Sequence, residues 1–372
     1  MSEQIKVCLV QYIFNKAFYV PASNLENTLS SFTNLTVING ILENLELDNE
    51  NVKKIEVGHK TSNNFFLAVF RYLYLQLRMI VTIFKISDDF DILILFMEQG
   101  DVLYALLGKL LRKKVYWHLP SDSKKSAYFI NKHRLIATIS DQFQKLNFIF
   151  VDRIVLYSPN LIKEWNIGKY KEKIVFAHAH FMDLNRFTIK KKIEERDAII
   201  GYFGRLSHEK GIINFVKSIR MVPKNLKLKY IIIGVGDLKD SVLEYINNNK
   251  LNNVKVMGWV DDSEIPDYLN EFKLVVLPSY TEGFPFTMLE SIACGTPVLA
   301  TPVGAIPDIL IDGVTGFIMR DNDPETISEN LVRVLQYPTI DNVVNKSYNL
   351  VKNEFNLEQA VKKWENILEN DR

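Results

Sequence analysis

The sequence predicts an α/β protein with two doubly wound, Rossmann-like domains. Its 372 residues exceed one ordinary hydrophobic core, which favours two domains. Short apolar runs alternate with longer helix-like segments in both halves, a pattern typical of parallel strands joined by helices. A charged segment without a strong apolar period lies between the halves. Together these three observations predict two parallel sheets with helices packed on them.

Four apolar runs predict the strands of the first half, and the long segments between them have helical character. The runs are 5–13, 91–97, 114–119 and 153–158.

In the second half, five runs each end in glycine, proline or a polar turn, and helix-like stretches such as 211–222 and 237–249 follow them. The runs are 198–204, 229–236, 253–260, 273–278 and 297–304. Binding sites in such sheets gather at the carboxyl ends of the strands, so functional residues are expected there.

The charged segment sets the expected domain boundaries. Residues 1–185 form the N-terminal domain, 186–197 the linker and 198–353 the C-terminal domain. Residues 354–372 carry apolar side chains at helical spacing and predict an amphipathic helix. This helix is expected to pack back on the N-terminal domain.

Charge is unequally distributed, although the whole chain carries only +1. Residues 1–196 contain 27 basic and 20 acidic residues, a balance of +7; the remaining 18 and 24 give −6 for 197–372. A basic first half favours an anionic partner such as a membrane surface or a phosphorylated substrate. Nucleic acid is not expected as a partner, because no basic run is interleaved with a recognisable nucleic-acid module.

The cysteine usage and the first residues indicate a cytoplasmic protein. Cys8 and Cys294 lie far apart in apolar or small-residue contexts, which favours a reducing compartment over a disulfide framework. The opening stretch MSEQIKVCLV lacks a basic region followed by an apolar one, so no signal peptide is expected.

Residues 64–87 form an unusually apolar stretch that three basic residues interrupt at intervals of seven: Arg71, Arg78 and Lys85. Three interpretations stay open. The stretch is a largely buried amphipathic helix with a basic edge, an interfacial helix on anionic lipid, or a bilayer span. A span is least favoured, because it places Arg78 near the middle of the membrane.

The stretch GYFGRLSHEKGI, 201–212, follows a predicted strand and opens a predicted helix. There Arg205 and Lys210 could neutralise a diphosphate together with the helix N-terminus. The alternative is a single exposed basic turn.

The stretch SYTEGFPFTMLESIACGTPV, 279–298, places Glu282 and Glu290 on either side of a Gly-Phe-Pro. Gly283 permits a tight turn and Pro285 suits the first turn of a helix, which leaves the amides of Phe286 and Thr287 free to face an anion. Glu290 could accept hydrogen bonds from a ribose diol. The alternative is a pair of solvated surface charges.

Together these two motifs resemble the retaining GT-B glycosyltransferases of the family-4, or group 1, type. The second motif matches the E-x7-E signature through Glu282 and Glu290. Further matching stretches lie in order along 198–320: IIIGVGDLKDSV, MGWVDDSEIPDYL, TPVGAIPDIL and DGVTGFIM. The resemblance implies a GT-B architecture, with two Rossmann-like domains facing across a cleft. The N-terminal domain would bind the acceptor and the C-terminal domain the nucleotide sugar.

The resemblance also implies roles for individual residues. Arg205 and Lys210 would stabilise the departing diphosphate, and Glu290 would bind the ribose hydroxyls. Glu282 and the backbone of Gly283, Phe284 and Pro285 would contact the donor sugar, and the base would lie near Gly236 and Trp259. In the first half, VYWHLPSD (115–122) resembles the strand end where the family has a histidine near the transferred sugar, which makes His118 a candidate; a structural hydrogen-bonding role is the alternative.

The sequence departs from the family pattern at two places. FNKAFYVPASN (14–24) lacks the Gly-Gly loop that many relatives carry after the first strand, so Asn15 and Lys16 are the only candidates there for acceptor contacts. AHAHFMDLNRF (177–187) lacks the Asn-Gly found before the linker, although Asp183 and Phe187 fit.

The expected activity is that of a retaining, metal-independent hexosyltransferase, with no cofactor beyond the nucleotide-diphosphate sugar. The acidic pairs Asp89–Asp91 and Asp321–Asp323 do not follow an apolar strand into a turn, so neither predicts a metal site. The acceptor would be a glycan or a lipid-linked glycan of surface polysaccharide assembly, with contact to an anionic membrane through 64–87. Sugar-nucleotide epimerisation and a catalytically inactive binding subunit are the rival functions.

Overall fold

The computed structural model describes residues 4–13, 19–42, 52–59, 64–96, 102–120 and 134–370. The chain divides into two compact units. The first contains Met1–Phe181 together with Leu357–Arg372, and the second contains Met182–Asn356. Asn15 and Lys16 lie outside the described residues.

The first unit is built on a seven-stranded parallel sheet of order β3-β2-β1-β4-β5-β6-β7. The strands are β1 (Lys6–Ile13), β2 (Asn34–Leu42), β3 (Lys53–His59), β4 (Ile92–Phe96), β5 (Lys114–His118), β6 (Arg153–Leu156) and β7 (Ile174–Phe176). The helices are α1 (Tyr19–Ser30), α2 (Phe65–Lys85), α3 (Val102–Leu110), α4 (Arg134–Phe150), α5 (Asn160–Glu164) and α13 (Leu357–Asn370).

Helices cover the two faces of this sheet in two groups. Helices α1 and α13 pack on the face that holds Leu9 and Ile94, in the core cluster that also contains Trp364. Helix α3 packs on the other face, where Gly108 lies against Leu93 and Val115. The Phe148 ring of α4 packs on Trp117 on that same face, with ring centroids 5.4 Å apart and the planes tilted by 50°. Helix α3 is joined to α2 through a hydrogen bond from Tyr104 to Gln76. Strand residues alternate between faces, so each group has its own half of the core.

Sequence reasoning missed three strands of this sheet, since it assigned helical character to the whole segment between 13 and 91 and ended the series at 158. Strand β2 carries Thr36, Asn39 and Gly40, which interrupt its apolar run, and β3 is a charged edge strand. The third, β7, has only three residues. Polar insertions and short length remove the pattern that identifies a strand.

The second unit contains a six-stranded parallel sheet of order β10-β9-β8-β11-β12-β13. The strands are β8 (Ile199–Phe203), β9 (Lys229–Ile233), β10 (Val254–Gly258), β11 (Leu274–Leu277), β12 (Val298–Ala300) and β13 (Phe317–Ile318). The helices are α6 (Ile212–Ser218), α7 (Lys239–Asn248), α8 (Ile265–Glu271), α9 (Phe286–Ala293), α10 (Ile306–Ile309), α11 (Pro324–Leu335) and α12 (Ile340–Glu354). The first five strands lie within the five runs predicted from the sequence, and the two-residue β13 was missed.

The charged segment 186–197 is bonded closely to the second unit. The Arg196 guanidinium is 4% exposed and donates to the backbone oxygens of Leu269, Phe272 and Cys294 and to Thr296 Oγ1. Burial lowers the pKa of Arg196 to about 10. A guanidinium is suited to this role because its donors fan out in one plane.

Candidate active site

The motif residues of the second unit all follow strands at one edge of its sheet. Arg205 and Lys210 follow β8, Gly236 follows β9, Trp259 follows β10, and the segment Glu282–Thr287 follows β11. The strand order reverses between β8 and β11, since β9 and β10 lie on one side of β8 and β11 to β13 on the other. A crevice at such a reversal is the usual ligand site of an open α/β sheet.

The loops after β8 and β11 are bonded to each other directly. The backbone N–H of Tyr280 donates to Glu209 O at 2.8 Å, and the His208 and Tyr280 rings stack at 5.2 Å. Gly211 has φ +68°, and a Cβ there would collide with Pro278 O. Only glycine takes this left-handed conformation at so close an approach. The sequence places Gly211 where the chain must turn against the neighbouring loop.

This turn brings Lys210 to Glu282. The Lys210 Nζ lies 2.7 Å from Glu282 Oε2, and Ser279 Oγ donates to Glu282 Oε1 at 2.7 Å. The side chains of Lys210 and Glu282 are 23% and 7% exposed, so this ion pair is much less solvated than a surface pair. Sequence reasoning gave the two residues separate roles, whereas the structure shows them as partners.

Arg205, unlike Lys210, has a largely exposed side chain. Its Nε lies 3.5 Å from Glu209 Oε1, its backbone oxygen accepts a hydrogen bond from Tyr202 Oη at 2.8 Å, and its side chain is 58% exposed. Glu209 also accepts from Ser207 Oγ at 2.6 Å. The guanidinium is therefore accessible to a ligand while its backbone is fixed. Sequence reasoning missed Glu209, although its spacing of four from Arg205 was a visible signal.

The loop after β9 approaches the same edge. A Cβ on Gly236 would collide with Leu206 O, and Leu206 exchanges backbone hydrogen bonds with this loop through Val235 O and Leu238 N–H at 2.9 Å each. The glycine at 236 thus allows the β8 and β9 loops to lie backbone against backbone. Trp259 lies at the end of the next strand, with 62% of its surface exposed.

Helix α9 begins at the Gly-Phe-Pro turn. Pro285 is the N-cap residue, directly before the first turn, so the positive end of the helix dipole lies at this Gly-Phe-Pro turn. Gly283 O accepts from Ala305 N–H at 2.9 Å, and the buried Phe284 ring packs on Phe355 at 5.5 Å. The turn is fixed on both sides, and the helix begins at Phe286, four residues after Glu282.

Glu290 lies one turn into α9 and is half-buried. Its desolvation raises the pKa of the carboxyl to about 7, the Arg186 guanidinium opposes this shift and Asp262 adds to it. Arg186 itself donates to the backbone oxygen of Asp262. A carboxyl with this pKa is partly ionised near neutral pH, and it accepts hydrogen bonds best in the ionised form. Sequence reasoning did not identify Arg186 as its neighbour.

We expect Glu290 to make stability depend on pH in a defined direction. The folded pKa lies above the unfolded value of 4.5, so the folded state binds more protons than the unfolded state between pH 4.5 and about 7. The free energy of unfolding should therefore fall as pH rises through this window, by up to about 3 kcal/mol relative to a Glu290→Gln protein. Urea unfolding of both proteins at several pH values measures the difference. A pH-independent difference would contradict the assignment.

His118 ends β5 in the first unit and is 1% exposed. Its ring stacks on Phe96 at 5.1 Å and meets the edges of Tyr157 at 4.9 Å and Trp364 at 5.5 Å. Burial lowers its pKa to about 3, with a smaller opposing effect of the Ala177 backbone. Neither ring nitrogen makes a well-formed hydrogen bond to a described residue. The imidazole is thus neutral and aromatic-packed.

The structure therefore brings together the predicted residues of the second unit, and it places His118 in the other unit. Within the described ranges, no group of three or more His, Cys, Asp or Glu side chains could hold a metal ion.

Two parallel-sheet, Rossmann-like units and a charged site at a strand-order reversal define a GT-B protein. The family described as glycosyl transferases group 1 matches residues 185–370, half of the chain. The chain belongs to this family and is a glycosyltransferase.

Two relatives and one solved structure show the extent of the similarity. The uncharacterized glycosyltransferase MJ1069 of Methanocaldococcus jannaschii is 27% identical over 308 residues, 78% of each chain. The capsular polysaccharide biosynthesis glycosyltransferase CapM of Staphylococcus aureus is 26% identical over 212 residues, 54% of each chain. Anabaena HepE, solved in complex with UDP and glucose, superposes with a TM-score of 0.75 at 15% identity, covering 98% of this chain and 99% of its own.

Proposed function

We propose that this protein is a retaining, metal-independent hexosyltransferase of surface polysaccharide biosynthesis. It would move a sugar from a nucleotide-diphosphate sugar to a glycan or lipid-linked acceptor. The observation that carries the proposal is the position of Lys210, Arg205 and the α9 N-terminus around one strand-order reversal. This arrangement places two cationic side chains and a helix N-terminus where a departing diphosphate would form.

The main requirement of sugar transfer is stabilisation of the leaving diphosphate. Negative charge grows on the departing phosphate while the sugar acquires oxocarbenium character, so preorganised donors at the phosphate lower the barrier. Arg205 offers an exposed fork of donors, Lys210 a point charge fixed by Glu282, and α9 the positive end of its helix dipole. These groups supply the compensating charge without a metal ion. The phosphate would take the acceptor proton during a front-face displacement.

The other proposed contacts with the nucleotide sugar lie at the same edge of the second sheet. The ionised Glu290 carboxylate would accept from the ribose hydroxyls, and the backbone of Gly283, Phe284 and Pro285, with Glu282, would contact the sugar. Gly236 and Trp259 would flank the base, since they end the two neighbouring strands. The family resemblance keeps His118 as the candidate near the transferred sugar, and its low pKa would make it a neutral group there. Since it is only 1% exposed, a direct contact with the sugar would require its aromatic surroundings to rearrange.

The donor is best sought among UDP-sugars, since HepE was solved with UDP and glucose. A thermal-shift series with UDP-, GDP-, ADP- and CMP-sugars tests this. We expect stabilisation by one nucleotide class, and its loss in a Glu290→Ala protein that retains its fold. No stabilisation by any of the four classes would overturn the proposed donor site.

A transfer assay separates this function from its rivals. With the stabilising donor, the transferase requires an acceptor for product, whereas an epimerase converts the sugar nucleotide alone. A binding subunit gives neither product. A donor-only incubation beside one containing a lipid-linked acceptor therefore distinguishes the three.

We place the enzyme in the cytoplasm, at its membrane face. Support comes from two free cysteines, Cys8 and Cys294, both buried and remote in sequence. In the portion of the chain that the structure describes, no helix combines the length and apolar character that crossing a bilayer requires.

A further inference from the structure

Helix α2 exposes a continuous apolar stripe to solvent. Its buried face is formed by Leu75, Met79 and Ile83 at intervals of four. The opposite face, at helical spacing, carries exposed apolar side chains that are between 42% and 66% accessible. They are Leu67, Phe70, Leu73, Tyr74, Leu77, Val81 and Phe84. The helix is therefore not the largely buried one that was one of the three interpretations of this stretch.

Helices α3 and α4 repeat this arrangement beside α2. The three helices cover one face of the first sheet and form what we call the outer helical layer. Each turns apolar residues away from the sheet, at exposures between 37% and 73%. They are Leu103, Leu106 and Leu110 on α3, and Ile139, Phe143, Leu146 and Ile149 on α4. Neighbouring helices lie about 8–10 Å apart, so these stripes are adjacent.

Helix α4 exposes large apolar side chains while two of its polar side chains are buried together with Phe148. Gln144 and Asn147 face inward, at 6% and 2% exposure, while Phe143 and Ile149 face outward at 49% and 61%. A helix against water places its polar residues outside and its apolar residues inside. The large apolar side chains on the outward face of α4 therefore favour contact with something other than water.

The charge of the outer helical layer indicates what kind of partner it contacts. Its three helices contain six basic residues and one acidic residue, a balance of +5. The acidic residue, Asp141, is paired with Lys145 at 2.6 Å. Helices α1 and α13 on the other face contain two basic and four acidic residues, a balance of −2. Arg71, Arg78 and Lys85 recur at intervals of seven and form a row along one edge of the α2 stripe.

We propose that the outer helical layer is a membrane-contact surface that lies in the headgroup region of an anionic bilayer. Apolar side chains would enter the acyl boundary while the basic row meets lipid phosphates. A second copy of the chain fits less well, because a two-fold contact would bring two basic faces together. The proposal extends the expected contact of 64–87 to two further helices. It is independent of the donor site, which lies in the second unit.

Co-sedimentation with vesicles tests this surface. The full chain is mixed with vesicles of phosphatidylcholine and phosphatidylglycerol, or of phosphatidylcholine alone. We expect binding to the anionic vesicles, and on the order of 100-fold weaker partitioning when Arg71, Arg78 and Lys85 are all changed to Gln. Paired serine substitutions on each helix should lower partitioning about tenfold per pair. The pairs are Phe70/Leu77, Leu106/Leu110 and Phe143/Ile149.

Matched variants in the second unit serve as controls. Met221→Ser with Ile311→Ser replaces two apolar residues of comparable exposure, 46% and 59%. Changing Lys217, Lys224 and Lys227 to Gln removes three exposed charges. Both should bind like the unmodified protein, and thermal melting confirms that every variant is folded.

Three results would overturn the proposal. One is absence of binding to anionic vesicles. Another is full binding by the α3 and α4 variants, which would leave α2 as the contact by itself. The last is self-association that increases with protein concentration in light scattering and is abolished by the serine substitutions. This result would identify the surface as a contact between copies of the chain. Thermal shifts of the same proteins with UDP-sugars test the donor site separately. Failure of the membrane-contact proposal can therefore be distinguished from failure of the proposed function.

Discussion

Replacing Lys210 with alanine is expected to reduce kcat for sugar transfer about 100- to 1,000-fold, the loss typical of removing one preorganised donor from a developing anion. The Lys210 ammonium is fixed 2.7 Å from Glu282 and is 23% exposed, so its charge needs little reorganisation when the phosphate departs. The KM for the donor should change less than kcat, because the charge develops mainly in the transition state. Steady-state kinetics with the identified donor and acceptor measures both.

Two further variants make the Lys210→Ala result interpretable. Loss of the lysine leaves the buried Glu282 carboxylate with the Ser279 hydrogen bond but without its cation. This costs about 1–3 kcal/mol, so the free energy of unfolding must be measured beside the kinetics. Arg205→Ala avoids this cost, since Arg205 is 58% exposed, and should still lower kcat. Lys217→Ala, an exposed lysine on α6, should leave kcat unchanged. A folded Lys210→Ala protein with near-normal kcat would refute the role of the ammonium.

Replacing Gly211 with alanine is expected to lower the free energy of unfolding of the second unit by about 3 kcal/mol. Two effects add. Alanine at φ +68° is strained, and its Cβ would overlap Pro278 O unless the β8 and β11 loops move apart. Since backbone atoms form the obstacle, no side-chain rotation relieves it. The separation would also draw Lys210 away from Glu282. Urea unfolding followed by circular dichroism measures the loss.

Gly204 provides the matched control, seven residues earlier in the same loop. Its backbone lies outside the left-handed region, and a Cβ there would meet nothing nearer than the Tyr202 side chain at 3.8 Å. Gly204→Ala should therefore change stability by less than about 1 kcal/mol. Equal losses in both variants would show that the loop tolerates no side chain at all, and that the conformation of Gly211 is not the cause.

The second sheet could be predicted almost completely from the sequence, for a physical reason. Its central strands β8, β9 and β11 are buried on both faces and appear as unbroken apolar runs ending in glycine or proline. Strands β2 and β3 could not be predicted, because Asn39 and the lysines of β3 interrupt the apolar run that identifies a strand. Such polar positions acquire partners only in three dimensions, as when Asn39 accepts from Gln11 at 2.7 Å.

Site residues that belong to short sequence motifs could be predicted. Contacts between residues far apart in the sequence could not. Arg205, Lys210 and Glu282 were each identified from motif spacing and family resemblance. Their partnerships were not, because Lys210 and Glu282 are 72 residues apart and Arg186 lies outside both motifs. The exposed apolar side chains of helix α4 illustrate the same limit, because which face of an amphipathic helix is outward depends on its neighbours.

The return of the chain to the first unit has a consequence for its synthesis. Helix α13 supplies Trp364 and Leu368, both fully buried, to the core that also contains strands β1 and β4. The first unit therefore lacks part of its core until residues 357–370 have left the ribosome, whereas the second unit is continuous from 182 to 356. Although domains generally fold in the order in which they emerge, here the unit translated first would be completed last. During that interval a chaperone would find its apolar surface exposed.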